Sequence, residues 1–247
     1  IARVCLILKE TVKKIAKYPK EVLFILLKFL HTITDRINFE VRDMKKLYLV
    51  RHGQTLFNEL HMTQGWCDSP LTELGKKQAK EAGRSLRNVD FSAVYTSTSE
   101  RTSDTAELIT DKPYTRLKAL KEIYFGLYEG QREFTQPKNW FVDNTDAFVP
   151  YGGESVQEMA ERFENCVKAI MKREEGENIL IVSHGCTIGT FLDRFAPDTM
   201  QLIRNQHGIP NCGIAVFEYE SETENFMLEN LVDPLRWGHK DDDVVKL

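Results

Sequence analysis

Two histidines in this 247-residue chain stand in the same setting. LYLV at 47–50 runs into Arg51-His52-Gly53, and LIVS at 180–183 runs into His184-Gly185. Each imidazole follows a short apolar run of the kind that makes a buried strand. In open α/β sheets, ligands bind at the carboxyl ends of strands, and a glycine there lets backbone or ligand come close. A lone histidine is more often structural, but two His-Gly pairs at equivalent strand ends point to chemistry. An uncharged ring nitrogen serves as a nucleophile or as an acid–base group. Arg51 adds a planar fork of donors that matches phosphate oxygens, and Asn58 lies a short loop further on. Arg101 falls in the first turn of a helix that follows a third apolar run, ending at Tyr95-Thr96-Ser97. Helix N-termini favour anions. These residue types at these places read as a phosphate site. The cysteine route to phosphate chemistry does not fit: none of Cys5, Cys67, Cys166, Cys186 and Cys212 has an arginine six positions later.

The elements that would position these groups alternate along the chain. Strands are expected at Leu47 to Val50, Ala93 to Thr96, Ile179 to Val182, Ile214 to Tyr219 and Phe226 to Leu231. Helices are expected at Thr72 to Arg87 with Thr72 as N-cap, Ser99 to Ile109 with Ser99 at its start, Glu154 to Lys172, and about Thr187 to Phe195. In the third helix Val156, Met159, Ala160, Phe163, Val167 and Ile170 share a face. This alternation predicts a single three-layer α/β domain over 44–247, with a mostly parallel central sheet covered by helices on both faces. The stretch at about 125–153 carries Pro137, Pro150, Gly152, Gly153 and the aromatics Phe134, Trp140, Phe141, Phe148 and Tyr151, and reads as a lid-like insertion over a site.

Hydrophobic residues make up 42% and charged residues 28% of the chain, which excludes a disordered, collagen-like or coiled-coil class. The net charge of −4 gives no general pull on nucleic acid. Five scattered cysteines without a CxxC pair argue against a disulfide framework or zinc site and for a reducing cytoplasm. Charge is uneven: residues 1–43 hold 9 Lys+Arg against 5 Asp+Glu, net +4, and the remainder is net −8. The basic segment contains VLFILL at 22–27, too short for the roughly 20 apolar residues of a membrane span. It reads first as a packed helix or a tail. Its lysines at 9, 13, 14, 17 and 20 beside an apolar face would also suit a membrane-surface helix. A third reading takes Met44, which opens MKKLYLV, as the natural start, with 1–43 as translated upstream sequence.

The motifs resemble those of the histidine phosphatase superfamily, also called the phosphoglycerate-mutase-like family. The match runs in order through RHGQTLFN at 51–58, QGWCDSPLTELG at 64–75, STSERTSDTAE at 97–107, LKEIYFGLYEG at 120–130, GGES at 152–155 and VSHG at 182–185. It covers nearly all of 44–247. The resemblance implies that His52 is the nucleophile that becomes phosphohistidine. It implies that Arg51, Arg101 and a protonated His184 complete the phosphate pocket with support from Asn58, and that Glu122 is the proton donor. Gln64 and Gly65 fall where the family contacts substrate. The mechanism needs no cofactor and no metal, and no aspartate-rich or histidine-cluster motif calls for one.

The family holds both hydrolases and mutases. A mutase uses extra basic residues in the insertion to hold a phosphorylated acid and exclude water. Here the stretch after Gly130 contains only Arg132 and Lys138 as cations. The expected activity is therefore a phosphatase acting on a small phosphate ester, with a cofactor-dependent phosphoglycerate mutase as the alternative. A non-catalytic phosphate sensor is the third reading, against which stands the full set Arg51, His52, Arg101, Glu122 and His184. The insertion's aromatics would suit apolar or aromatic esters, although core packing explains such residues equally well. Monomer and homodimer both remain open. His61 lies close to the substrate loop without motif support.

Overall fold

The computed structural model describes residues 44–141, 143–204 and 208–235. The readings of 1–43, Cys5 included, lie outside the described residues. Six strands form one sheet: β1 (Met44–Arg51), β2 (Ala93–Ser97), β3 (Thr115–Leu117), β4 (Asn178–Ser183), β5 (Ile214–Glu220) and β6 (Asn225–Val232), in the order β3-β2-β4-β1-β5-β6. The four strands from β3 to β1 pair in parallel, and β5 and β6 are added antiparallel. The helices are α1 (Leu56–Glu59), α2 (Glu73–Ser85), α3 (Glu100–Ile109), α4 (Val156–Arg173), α5 (Gly185–Phe195) and α6 (Pro197–Arg204).

The alternation of side chains along a strand sorts the core into two layers. Leu47, Leu49, Ile179 and Ile181 pack with Phe163, Val167 and Ile170 of α4 and with Ile188, Phe191 and Leu192 of α5. Tyr48, Val50, Leu180 and Val182 point the other way, onto Ala79 and Ala82 of α2 and Ala106 of α3. A strand buried on both faces must be apolar throughout, which is why these runs do not alternate with polar residues. Register then does the positioning. Arg51 pairs with Ser183 across β1 and β4, and Thr96 with Val182 across β2 and β4. His52, His184 and Ser97 consequently emerge side by side at the carboxyl ends of three adjacent strands.

The helix boundaries show what governs them. Thr72 caps α2, its Oγ1 accepting from Gly75 N at 3.0 Å. Ser155 and Glu158 form a reciprocal capping box at α4, so that helix begins at Val156, two residues after the expected start at Glu154. Ser99 is the N-cap of α3, but its side chain makes no cap bond; the Asp68 carboxylate accepts from Glu100 N instead. α5 starts at Gly185 rather than near Thr187, with His184 as its extended N-cap residue. Among its described residues, the segment 125–153 contains no strand and three short 3₁₀ turns. Part of it has its own small core, in which Phe125 and Phe148 pack with Ile123, Val156 and Met159. It is also tied by backbone bonds to the loop after α1, with Thr63 N donating to Gln131 O at 2.7 Å and Gly130 N donating to Thr63 O at 3.0 Å.

Candidate active site

The two imidazoles meet. The rings of His52 and His184 lie 5.3 Å apart, inclined at 64°, and both are buried. His52 Nδ1 lies 2.8 Å from the carbonyl oxygen of Gly53, the residue after it. A carbonyl can only accept, so Nδ1 carries the proton and Nε2 holds a free lone pair. Its main chain is fixed as well: His52 N donates to Ser183 O at 3.0 Å, and Asn211 Nδ2 donates to His52 O at 3.1 Å.

Arg101 is buried at 1% exposure and is held by four groups. Its Nη1 donates to Cys67 O at 3.0 Å and to Asp68 Oδ1 at 2.9 Å, and its Nη2 donates to Gly65 O at 2.8 Å. The fourth contact is to His184 Nδ1 at 2.9 Å. Guanidinium has no acceptor atom, so His184 Nδ1 must be unprotonated and its Nε2–H donates to Ser97 Oγ at 2.8 Å. This corrects the expected protonated His184: in this geometry it is a neutral ring. Burial is the first cause holding both imidazoles well below their ordinary value, with Arg101 next in each case. The like charge of the arginine thus ranks second to desolvation.

Arg51 reaches the same place from β1. Its Nη1 donates to Ile209 O, and an added Cβ on Gly185 would stand 3.3 Å from its Nε. The glycine after His184 thus leaves room for this side chain. The Nε atoms of both Arg51 and Arg101 are buried without a hydrogen-bond partner among the described residues. Two orphaned donors on cationic groups beside a free imidazole nitrogen fit a tetrahedral anion with several acceptor oxygens.

Glu122 is buried at the N-terminus of α5. Its Oε2 accepts from Cys186 N at 2.9 Å, and its Oε1 accepts from Thr187 N at 3.2 Å and Ile123 N at 3.0 Å. Burial raises its affinity for a proton more than these amides and the two arginines lower it, so the carboxyl sits above the ordinary range. The Cys186 thiol is pushed well up by burial and by Glu122, which fits an inert core group rather than a nucleophile.

The remaining candidates are engaged in the loop that follows. Asn58 Oδ1 accepts from Thr55 N at 3.1 Å in the capping box of α1. The Gln64 side chain bridges Thr55 Oγ1 at 2.6 Å and Ser69 Oγ at 2.9 Å. Gly65 offers its carbonyl to Arg101, and a Cβ there would come within 2.3 Å of Glu129 Oε1 and Ile123 O. His61 is exposed, with its Nδ1 3.6 Å from Glu133 Oε2. Sequence reasoning missed three supports. Ser97 orients His184; Asp68 anchors Arg101; and the Glu129 carboxylate accepts from Trp66 N, Cys67 N and Phe125 N at 2.8–3.0 Å. All three lie inside the quoted motifs, which was the only signal available.

The protonation states imply a pH dependence of stability. Unfolding returns each histidine to about 6.5, so below that pH the unfolded chain binds protons that the folded chain refuses. Stability is therefore present above that value and is lost as pH falls, by about 1.4 kcal/mol per pH unit for each ring. Glu122 acts in the opposite sense, losing stability as pH rises through its raised value, and is one group against two. The denaturant midpoint should accordingly rise from about pH 5 to 6.5. The slope should steepen in Glu122→Gln and flatten in His52→Gln. A slope that neither substitution changes would contradict these assignments.

The chain is similar to known proteins in sequence and in fold. The family model described as histidine phosphatase superfamily (branch 1) matches residues 47–232. A putative phosphoserine phosphatase 2 from Hydrogenobacter thermophilus is 32% identical over 200 residues, covering 76% of this chain and 96% of the relative. A probable phosphoglycerate mutase GpmB from Erwinia tasmaniensis is 36% identical over 159 residues, covering 60% and 74%. Among solved structures, Bacillus stearothermophilus YhfR superposes with a TM-score of 0.66 at 32% identity, over 74% of this chain and 95% of that one. Phosphoglycerate mutase from Bacillus anthracis gives 0.67 at 25% identity, over 76% and 92%. With the motifs in order and the two imidazoles sharing one site, the chain belongs to the histidine phosphatase superfamily, branch 1.

Proposed function

We propose that this chain hydrolyses phosphomonoesters of small metabolites through a phosphohistidine on His52. The observation that carries the reading is the free His52 Nε2 beside the two unpartnered guanidinium Nε–H groups of Arg51 and Arg101. Phosphoryl transfer asks mainly for positioning and charge neutralisation. His52 Nε2 attacks phosphorus in line as the bond to the ester oxygen breaks, and Arg51 and Arg101 balance the charge of the transferring group. No metal is assigned a step. The leaving oxygen takes the Glu122 proton, which burial keeps in place above the usual carboxyl range. The resulting carboxylate then draws a proton from water as that water attacks the phosphohistidine, releasing orthophosphate and restoring both groups.

A mutase is the second reading, because relatives are named as phosphoglycerate mutases. Against it, Arg132 of the insertion donates to Leu60 O, and Lys138 is the stretch's only other cation, so no arginine pair is available there. Localisation in the cytoplasm is proposed from the cysteines, of which the four described are free. No described helix is long and apolar enough to cross a membrane. The partner proposed is a small phosphate ester, bound by a monomer or a homodimer, with the insertion at 125–153 serving as a lid.

The test is turnover of an aryl phosphate without added bisphosphoglycerate, set against isomerisation of 3-phosphoglycerate. Isomerisation without hydrolysis would replace the first reading by the second. Glu122→Gln sharpens the test. Alkyl esters, whose alkoxide must be protonated, should lose about 10²–10⁴-fold in kcat/KM. Activated aryl esters should lose far less. Equal loss on both would remove Glu122 as the acid.

A further inference from the structure

The GGES run at 152–155 gives no group to the phosphate pocket and lies instead against the segment that carries Glu122. Residues 121–125 belong to no strand or helix. No regular ladder of backbone bonds therefore fixes the proton donor's main chain, and other groups must hold it. Glu154 N donates to Tyr124 O at 2.8 Å, and Glu154 Oε2 accepts from Tyr124 N at 3.3 Å. A Cβ on Gly153 would stand 2.7 Å from Tyr124 O, so the close approach requires glycine there.

Arg162 of α4 returns to the same segment, and every hydrogen of its fork is used. Nε donates to Glu154 Oε1 at 2.8 Å and Nη2 to Glu154 Oε2 at 2.8 Å, a bidentate pair. Nη1 donates to Ala119 O at 2.8 Å and to Lys121 O at 2.9 Å, and the second Nη2 hydrogen goes to Glu122 O at 3.3 Å. A guanidinium has five N–H groups, and here they meet five acceptors. One rigid plane thus holds three carbonyls of 119–122. Both charged side chains are mostly buried. The helix beneath them is fixed in turn, since Phe163, Val167 and Ile170 of α4 lie in the core.

Glu122 is thereby gripped from two sides. The first amides of α5 bind its carboxyl, and the Glu154–Arg162 pair on α4 binds its main chain. The charge of Arg162 is matched by Glu154, so what the pair delivers is position. Resting on the hydrolase reading, we propose that Arg162, clamped by Glu154, is a positioning residue for proton transfer, fixing the backbone of Glu122 so that its carboxyl meets the leaving oxygen. A misplacement of about 1 Å at a reacting group can cost about 10²-fold in rate. The nucleophile and the phosphate cations stand on other strand ends, so their part of the reaction does not pass through this brace.

The test is kcat/KM of the full chain on para-nitrophenyl phosphate, whose leaving group needs no proton, and on β-glycerol phosphate, whose alkoxide does. Arg162→Met should lose about 10²-fold on the glycerol ester and little on the aryl ester. Mere loosening of the pocket would lower both together. Arg162→Lys keeps the charge opposite Glu154 and gives up the fork, so it should show the same split at smaller size. If the methionine variant does not fold, the absence of a split in Arg162→Lys is decisive against the proposal. In Arg162→Met combined with Glu122→Gln, the split should be no larger than in Glu122→Gln alone, because one residue acts through the other. Equal loss on the two esters, no loss at all, or splits that multiply in the double variant overturns the proposal and leaves Glu122 as the acid. If Glu122→Gln itself shows no split, the acid assignment and this inference fall together.

Discussion

His52→Ala should lose at least about 10⁴-fold in turnover of any phosphate ester, since removing the nucleophile removes the covalent route itself. The fold should survive. The ring's one side-chain bond is to the adjacent Gly53 carbonyl, and the neighbouring strands are held by their own backbone ladder. The thermal midpoint should therefore move by only a few degrees, as expected for about 1–2 kcal/mol in a domain of this size. A quench with labelled ester should trap an acid-labile, base-stable phosphoryl group on the unaltered chain and none on the variant. Residual turnover above about one hundredth would exclude His52 as nucleophile.

Arg101→Leu should combine the largest kinetic loss outside the nucleophile with a loss of stability. A guanidinium that neutralises a transferring phosphoryl group is worth about 10³–10⁵ in rate. Here the same side chain also satisfies Gly65 O, Cys67 O, the Asp68 carboxylate and His184 Nδ1. Leucine would strand all four, and breaking a buried ion pair from one side costs about 3–5 kcal/mol. Roughly 10 °C should be lost from the melting temperature. Arg101→Lys keeps the charge but not the fork, and should recover part of the stability and little of the rate. A leucine variant that melts like the unaltered chain and is only a few-fold slower would refute both roles.

These two residues were legible early, and the reason is physical. A strand buried on both faces can be written only in apolar residues, so a polar residue placed where such a run stops is conspicuous. Arg51, His52 and His184 stand at those stops, and Arg101 begins the helix after the third. β3 and α6 were not foreseen, because three residues as exposed as Thr115–Leu117, or a single short helix after Phe195, make no period to detect. Asp68 and Glu129 escaped for a different reason. Their partners are backbone amides and a guanidinium brought in by folding, and a backbone amide has no sequence signature. The neutral state of His184 was hidden likewise, since it follows from a ring nitrogen that only folding brings against the donor-only guanidinium of Arg101.

The division of labour between sheet and loops bears on how such a site can diversify. The groups that would handle phosphate are anchored to the carboxyl ends of β1, β2 and β4, where a shift would disturb two core layers at once. Trp66, Cys67 and Phe125 hang instead from the single carboxylate of Glu129. Variation can therefore rewrite the loops that hang from Glu129, lengthening or recharging them, while the sheet-borne groups are inherited intact. On the proposed hydrolase function, a lineage built this way would change what it dephosphorylates far more readily than how.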